Sequence, residues 1–137
     1  MKEVKVKDYM TKQVLTFRPE DGVIETLRAL LKAGRSGGPV VDDKGRLVGL
    51  ISEIDCLKEA LMGGYYQQEG DKVADHMATE VDVVNVDDDI LAVADLFMKG
   101  RRRLPVVDGD KIVGIISRPD FARALIDRID NPHHGKN

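Results

Sequence analysis

The sequence is built from two copies of one pattern, and this duplication constrains the fold more than any other feature. VKDYM at 6–10 matches VADHM at 73–77, GPVVD at 38–42 matches LPVVD at 104–108, and RLVGLISEID at 46–55 matches KIVGIISRPD at 111–120. The offsets are 67 (77 − 10), 66 (105 − 39) and 65 (120 − 55), so two single-residue deletions in loops relate the copies. Internal self-similarity of this kind indicates that each copy is one structural repeat.

Each copy predicts the element order β-α-β-β-α, preceded by a short helix. β-branched runs at 14–17 and 81–86 favour a first short strand. Apolar residues at helical spacing predict helices over 23–33 and 89–99. The PVVD run and the GLIS or GIIS run then predict two strands joined by a turn, and helices near 53–62 and 118–129 complete the copies. We therefore expect an α/β (α+β) fold in which tandem repeats pack as one pseudo-two-fold module.

The boundaries of the repeats follow from the same alignment. We expect repeat 1 over 4–64, repeat 2 over 65–130 and a flexible tail over 131–137. A Gly/Tyr/Gln-rich connector near 63–72 contains Tyr65 and Tyr66, which we interpret as packing on the module. A repeat of about 60 residues is marginal as an independent core, so the repeats should pack on each other. The crevice between them is the expected place for a ligand.

Bulk composition excludes several classes of function. The net charge of −3 and the aromatic content of 4% argue against a nucleic-acid partner, which calls for a basic surface or stacking rings. A single cysteine, Cys56, rules out an internal disulfide. We find neither a signal peptide nor an apolar run of about 20 residues, so we expect a cytoplasmic protein without a membrane segment.

The sequence motif at the last strand-to-helix turn fits a capping box in both copies. Ser52 with Asp55, and Ser117 with Asp120, fit the capping-box spacing, with Asp in place of the usual Glu or Gln. A serine at the N-cap accepts a hydrogen bond from a free main-chain N–H, and an acidic residue in the first turn suits the helix dipole. The motif therefore predicts that a helix starts at this turn in each copy.

The same turn is also a candidate anion site. Spare N–H groups at a helix N-terminus attract anions, and arginine binds phosphate through two parallel hydrogen bonds. An aspartate beside them can accept two hydrogen bonds from a sugar diol. Among the arginines of the second copy, Arg101, Arg102, Arg103 and Arg118 are the candidates for this role. The residues leave two interpretations open, a phosphate site and a solvated helix end.

The paired motifs V-x-D-x-M, PVVD and G-h-h-S-x-x-D resemble the cystathionine-β-synthase-type (CBS) domain, and two ordered copies resemble a stand-alone CBS pair, or Bateman module, over residues 4–129. The resemblance implies a regulatory module without catalysis. It implies an adenosine-containing ligand (AMP, ADP or ATP, with S-adenosylmethionine and NAD as further candidates), a homodimer, and signalling to an effector protein encoded elsewhere. The alternative is a ligand-free dimerisation or scaffold module whose capping boxes are only structural.

The resemblance also implies roles for particular residues. Ribose would bind Asp55 and Asp120, and phosphate would bind Arg103, Ser52 and Ser117, with Arg101, Arg102 and Arg118 near by. Adenine would lie against the first strand of a repeat, lined by Val14, Leu15, Thr16, Val81, Asp82, Val83 and Ile116. The family pattern often has Ser or Thr before the aspartate, where this chain has Ile54 and Pro119. Gly37 replaces Arg103 in the first copy, so we expect the Asp120 site to be the better phosphate site.

No metal site is expected from the spacing of ligand-type residues. His76, His133 and His134 lack metal-ligand spacing with one another or with Cys56, which we expect to pack as a small apolar residue. The acids at 87–89 are interpreted as helix caps and dipole partners. The glycine-rich stretch at 34–39 is interpreted as a helix C-cap. No nucleophile–base pair indicates an enzyme.

Overall fold

The computed structural model describes residues 3–64 and 71–131, with residues 63 and 64 described by their main chain alone. It divides into two compact units. The continuous unit is Leu15–Val81, and the split unit combines residues up to Val14 with those from Asp82 onward. The connector tyrosines Tyr65 and Tyr66, and the tail beyond residue 131, lie outside the described residues.

The continuous unit packs helices on a two-stranded sheet. Its elements are α1 (Val23–Ala33), β1 (Gly37–Val41), β2 (Leu47–Ser52), α2 (Glu53–Glu59), a π-helical turn (Ala60–Gly64) and a 3-10 turn (Val73–Asp75). Strands β1 and β2 are antiparallel, and their register places Gly37 opposite Ser52. The core is apolar and comprises Phe17, Val23, Leu30, Val40, Ile51, Cys56 and Val73.

The split unit repeats this plan with one more strand. Its elements are a 3-10 turn (Val6–Asp8), β3 (Val84–Asn85), a 3-10 turn (Ile90–Val93), α3 (Ala94–Met98), β4 (Arg103–Asp108), β5 (Lys111–Ser117) and α4 (Arg118–Asp130). The sheet order is β3-β4-β5, with β3 parallel and β5 antiparallel to β4. Arg103 lies opposite Ser117. In the core, the rings of Phe97 and Phe121 stack with centroids 4.9 Å apart.

The helices predicted over 23–33 and 118–129 are confirmed, and two others are less regular than predicted. The helix near 53–62 is α-helical to Glu59 and then widens into the π-helical turn. The helix over 89–99 begins as a 3-10 turn, which Asp89 caps by accepting from the N–H of Leu91, and becomes α-helical from Ala94. Gly34 ends α1 in the left-handed conformation, as predicted for a C-cap.

The first strand of each repeat is shorter than predicted. Phe17 alone bridges to β1, and only Val84–Asn85 pairs with β4. The N–H of Phe17 donates to the carbonyl of Pro39 (2.9 Å), but the next rung would need a main-chain N–H from Pro39 itself. Proline has none, so the parallel ladder ends there. Pro105 occupies the same place beside Val84, and the prediction of regular strands over 14–16 and 81–83 was wrong for this reason.

The leading V-x-D-x-M segments pack against the sheets of opposite sequence copies. Thr11 exchanges two main-chain hydrogen bonds with Ile115 (2.8 and 2.9 Å), and Ala78 does the same with Leu50 (2.8 and 2.9 Å). The segment that begins repeat 1 therefore belongs to the split unit, and the one that begins repeat 2 belongs to the continuous unit. The predicted bounds 4–64 and 65–130 describe the sequence repeats, while the compact units exchange these segments.

Two smaller predictions concern burial and membranes. Cys56 is fully buried in the core of the continuous unit, as predicted, and this burial raises the pKa of its thiol to about 11. Within residues 3–64 and 71–131, no helix combines the length and the apolar character needed to cross a bilayer.

A hydrogen bond between Tyr9 and Asp127 fastens the leading segment of the split unit to α4. The Tyr9 hydroxyl donates to Asp127 Oδ2. The pKa of Tyr9 is raised to about 12, mainly by burial and next by this hydrogen bond. We expect Tyr9→Phe to lower the free energy of unfolding by about 1–2 kcal/mol at pH 7, because a bond to a charged acceptor is lost. Urea unfolding measures this.

The pH dependence follows from the direction of that pKa. A group whose pKa is higher in the folded state stabilises fully below its unfolded value of 10.0, and the stabilisation is lost as the pH rises toward about 12. The difference in the free energy of unfolding between wild type and Tyr9→Phe should therefore shrink between pH 10 and 12. Asp127 has further contacts, so a double-mutant cycle with Asp127→Asn is the control. Absence of coupling in that cycle would contradict the assignment.

Candidate functional site

Both predicted capping boxes are present at the starts of α2 and α4. Ser117 Oγ accepts from the N–H of Asp120 (3.3 Å), and Asp120 Oδ2 accepts from the N–H and the hydroxyl of Ser117 (both 2.9 Å). Ser52 and Asp55 repeat the arrangement, at 3.1, 3.2 and 2.7 Å. In both copies the box fixes the aspartate at the lip of the helix N-terminus and leaves its second carboxylate oxygen, Oδ1, outside the box.

The two aspartates differ in what holds Oδ1. Asp120 is 5% exposed, and its Oδ1 accepts a hydrogen bond from Arg123 Nη2. Within the described residues, Asp55 Oδ1 has no hydrogen-bond partner. Lys58 stands where the second copy has Arg123, three residues after the aspartate. Sequence reasoning missed Arg123, although the i, i+3 spacing of Asp and Arg on a helix was a usable signal.

Three exposed arginines surround the N-terminus of α4. The N–H of Arg118 donates to the carbonyl of Arg102 (3.0 Å), and Arg103 lies across the strand pair from Ser117. In the described part of the chain, the side chains of Arg102, Arg103 and Arg118 take part in no ion pair. We call these three residues the arginine cluster. Arg101 is different, because its guanidinium pairs with Asp82 Oδ2 at 2.8 Å.

The corresponding place in the continuous unit has other residues instead of the arginine cluster. The N–H of Glu53 donates to the carbonyl of Ser36 (2.8 Å), so Glu53 and Ser36 stand where Arg118 and Arg102 stand in the other unit. Gly37 replaces Arg103 there. A Cβ atom at Gly37 would lie 2.9 Å from the carbonyl oxygen of Ile51, so a side chain would require the main chain to shift. The difference between the copies is therefore built into the packing as well as the sequence.

The segments predicted to line adenine run beside the first residues of β1 and β4. The carbonyl oxygen of Leu15 lies 2.8 Å from where a Cβ atom at Gly38 would be. Within the described residues, 14–16 and 81–83 make no main-chain hydrogen bonds, since Pro39 and Pro105 interrupt the ladders. The sheets therefore leave the main-chain N–H and C=O groups of these two segments unpaired within the described residues.

The structure places the seven predicted adenine-lining residues in different surroundings. Thr16, Asp82 and Val83 are exposed, whereas Val14, Leu15 and Val81 are half-buried. The Asp82 carboxylate is occupied by Arg101. Ile116 is fully buried in the core of the split unit, so its side chain offers no surface to a ligand and we do not retain it in the site.

The repeated geometry has a counterpart among known proteins. The family model of the CBS domain matches residues 6–61 and again 73–127. The chain belongs to the CBS domain family. The two matches cover most of both sequence copies, so the capping boxes described above are the closing turns of two CBS repeats.

Relatives of this CBS pair include proteins with bound adenosine compounds. The chain is 33% identical over 129 residues to the uncharacterized protein MJ0188 of Methanocaldococcus jannaschii, covering 91% of this chain but only 45% of that protein. It is similar to CBSX2 in complex with AMP (32% identity, TM-score 0.76, 90% of this chain and 96% of that one). It is also similar to the CBS domain pair of MJ0100 with 5-methylthioadenosine and S-adenosyl-L-methionine (27%, TM-score 0.75, 93% and 99%).

Proposed function

We propose that this CBS pair is a regulatory module that binds AMP, ADP or ATP, with the phosphates held by the arginine cluster. The observation that carries the proposal is the set of three guanidinium groups, unpaired within the described residues, at the N-terminus of a 13-residue helix in an acidic chain. A helix N-terminus and bidentate arginine both favour phosphate. The AMP bound by CBSX2 and the adenosine compounds bound by MJ0100 support a ligand of this class.

Ribose binding in the split unit requires an exchange of partners at Asp120. Its Oδ2 is committed to the capping box, so the ribose hydroxyls would donate to Oδ1, which Arg123 now occupies. The Arg123 side chain is 65% exposed, so it can leave Oδ1 at little cost. Arg101 and Asp82 form a second exposed pair beside the adenine segment that a ligand could open in the same way.

The continuous unit favours a ligand with less negative charge. Asp55 Oδ1 is ready to accept ribose hydroxyls without displacing a partner, but Glu53 lies where Arg118 lies in the split unit. A carboxylate there repels phosphate. We therefore assign this site to a nucleoside or a cationic adenosine compound such as S-adenosylmethionine, or to no ligand.

Regulation would act through linkage between the ligand and a partner. A ligand that prefers one arrangement of a protein shifts its population, and a partner that reads this arrangement completes the signal. Exposed apolar side chains favour a homodimer. In the continuous unit they include Leu61 and Met62 (85% and 83% exposed), and on α4 they include Ile126 and Ile129 (55% and 62%). We infer a regulatory role rather than catalysis.

Calorimetric titration with AMP, ADP, ATP, S-adenosylmethionine and NAD tests the proposal. We expect AMP binding to weaken at least about tenfold in Asp120→Asn, because a carboxylate accepts hydrogen bonds from hydroxyls better than an amide does. Asparagine keeps much of the capping ability, so the melting temperature should change little. Arg123→Ala should leave AMP affinity equal or higher, since it releases Oδ1.

Asp55→Asn is the matched control, because it makes the same change in the other capping box. It should leave binding at the arginine cluster intact. If none of the five compounds binds at millimolar concentration, the nucleotide proposal fails and the ligand-free scaffold hypothesis takes its place.

A further inference from the structure

Three ligand-type side chains converge at the end of α2 in the continuous unit. His76 Nε2 lies 3.3 Å from Glu59 Oε2 and 3.9 Å from Asp71 Oδ1, and one ligand atom from each residue lies within 4.8 Å of the others. The spacing of His76 to the other histidines and Cys56 gave no metal prediction, and the two carboxylates were not predicted. They come from separate places in the chain, and no short motif links them.

The main chain holds the three residues in place. Glu59 is the last residue of α2. The carbonyl of Asp71 accepts from the N–H of Val23 (3.1 Å), which ties it to the first turn of α1. His76 follows the 3-10 turn at 73–75, and its N–H donates to the carbonyl of Val73 (3.0 Å). The cluster is therefore anchored on two helices and a turn.

Within the described residues, His76 is the only basic side chain that lies within 4.0 Å of the two carboxylates. In the described ranges, no lysine or arginine forms an ion pair with Glu59 or Asp71. Asp71 Oδ2 is buried and accepts no hydrogen bond there. The side chains of Glu59, Asp71 and His76 are only 16%, 25% and 26% exposed. Partly buried acidic oxygens normally have a donor or a cation, so the buried Asp71 Oδ2 points to a cation at this cluster.

We propose that Glu59, Asp71 and His76 bind a divalent transition-metal ion, with Zn²⁺ the best match. Zinc takes histidine nitrogen and carboxylate oxygen at about 2.0–2.1 Å in tetrahedral geometry, which places ligand atoms about 3.3 Å apart. The distance from His76 Nε2 to Glu59 Oε2 is 3.3 Å, and the distance to Asp71 Oδ1 is 3.9 Å. Small side-chain rotations complete the set, and water fills the fourth position.

A metal ion here would join the two ends of the stretch between Glu59 and Asp71. It would bind the last turn of α2 to the segment that contacts β2, and α2 begins at the capping box of Ser52 and Asp55. Ion binding and ligand binding at that box would then act on the same helix. The metal site stands without the nucleotide proposal, because none of its ligands belongs to the arginine cluster.

Calorimetric titration of the metal-stripped full chain with ZnCl₂ tests the site. All proteins carry His133→Asn and His134→Asn, so that the histidines of the tail do not bind the ion. We expect one Zn²⁺ per chain. Glu59→Gln and His76→Gln should each weaken Zn²⁺ binding at least about tenfold, because even groups that only orient a metal ligand cost this much when they are mutated. Glu80→Gln is the matched control, an exposed carboxylate of the same unit, and should bind Zn²⁺ as the parent does.

A second measurement avoids dependence on the folding of the variants. In the parent protein labelled with ¹⁵N, Zn²⁺ should shift the Nε2 resonance of His76 in proportion to occupancy. Saturable binding with this shift in the parent protein, together with weakened affinity in Glu59→Gln and His76→Gln and unchanged affinity in Glu80→Gln, supports the site. An unchanged His76 resonance at millimolar Zn²⁺, or equal affinity in all variants, overturns it. Titration of the same variants with nucleotide tests the proposed function independently, so that either proposal can fail without the other.

Discussion

Gly114→Val should destabilise the protein by about 4 kcal/mol, since overpacking and the loss of two main-chain hydrogen bonds add together. A Cβ atom at Gly114 would lie 2.6 Å from Met10 Sδ and 2.9 Å from the carbonyl oxygen of Thr11. The methionine can move, but the Thr11 carbonyl is fixed by its hydrogen bond from Ile115. The leading segment must therefore separate from β5. Urea unfolding gives the magnitude, and hydrogen exchange at Thr11 and Ile115 gives the location.

Gly109→Ala is the control for the conformational effect of losing a glycine. Gly109 has φ of 67°, and a Cβ atom added there would meet no described atom within 4 Å, so alanine costs about 1 kcal/mol through the main chain alone. Gly49→Val should behave like Gly114→Val, because its Cβ would lie 2.8 Å from the carbonyl oxygen of Ala78. Protected amides at Thr11 and Ile115 in Gly114→Val would contradict the close approach.

The double variant Arg103→Ala/Arg118→Ala should bind ATP about 100-fold more weakly, equivalent to about 2.7 kcal/mol for two charge-assisted contacts. Adenosine has no phosphate, so its affinity should be unchanged. Stability should hold or rise slightly, because two positive charges leave the N-terminus of α4, where the helix dipole disfavours them. Parallel titrations with ATP, AMP and adenosine measure the effect.

Arg28→Ala/Lys32→Ala is the matched control for net charge. Both residues lie on α1, and their removal takes the same two positive charges from a different part of the chain. This variant should bind ATP as the wild type does. Equal losses for ATP and adenosine in the Arg103/Arg118 variant, or equal losses for ATP in both double variants, would remove the phosphate role of the cluster.

The elements that could be predicted from sequence are those governed by local chemistry. The helix over 118–129 and both capping boxes were correct, because Ser117, Asp120 and Pro119 each favour a helix start by themselves. The first strands were wrong because strand formation needs a partner with a free N–H, and Pro39 and Pro105 lack one. The position of these prolines beside the first strand depends on tertiary structure, which the β-branched residues at 14–17 do not indicate.

The residues of the candidate site also divide into those whose placement could be predicted from the sequence and those whose placement could not. The placement of Arg103 beside Ser117 follows from hairpin register and was recoverable from the alignment of the two copies. The pairing of Arg101 with Asp82, and of Arg123 with Asp120, depends on side-chain direction and was missed. The cluster of Glu59, Asp71 and His76 depends on which segment packs against the end of α2, a long-range relation without a local signature.

The exchange of leading segments also determines how the chain can be assembled. Every contact of the continuous unit is available once Val81 has been made, whereas the split unit joins residues that are 85 and 118 positions apart, Val4 with Asp89 and Tyr9 with Asp127. Contacts of such long sequence separation slow folding. During synthesis the continuous unit can form before the sheet that residues 3–14 pack against has been made. The exchange of segments therefore sets an order of assembly in which the second copy must be synthesised before the start of the first copy can fold.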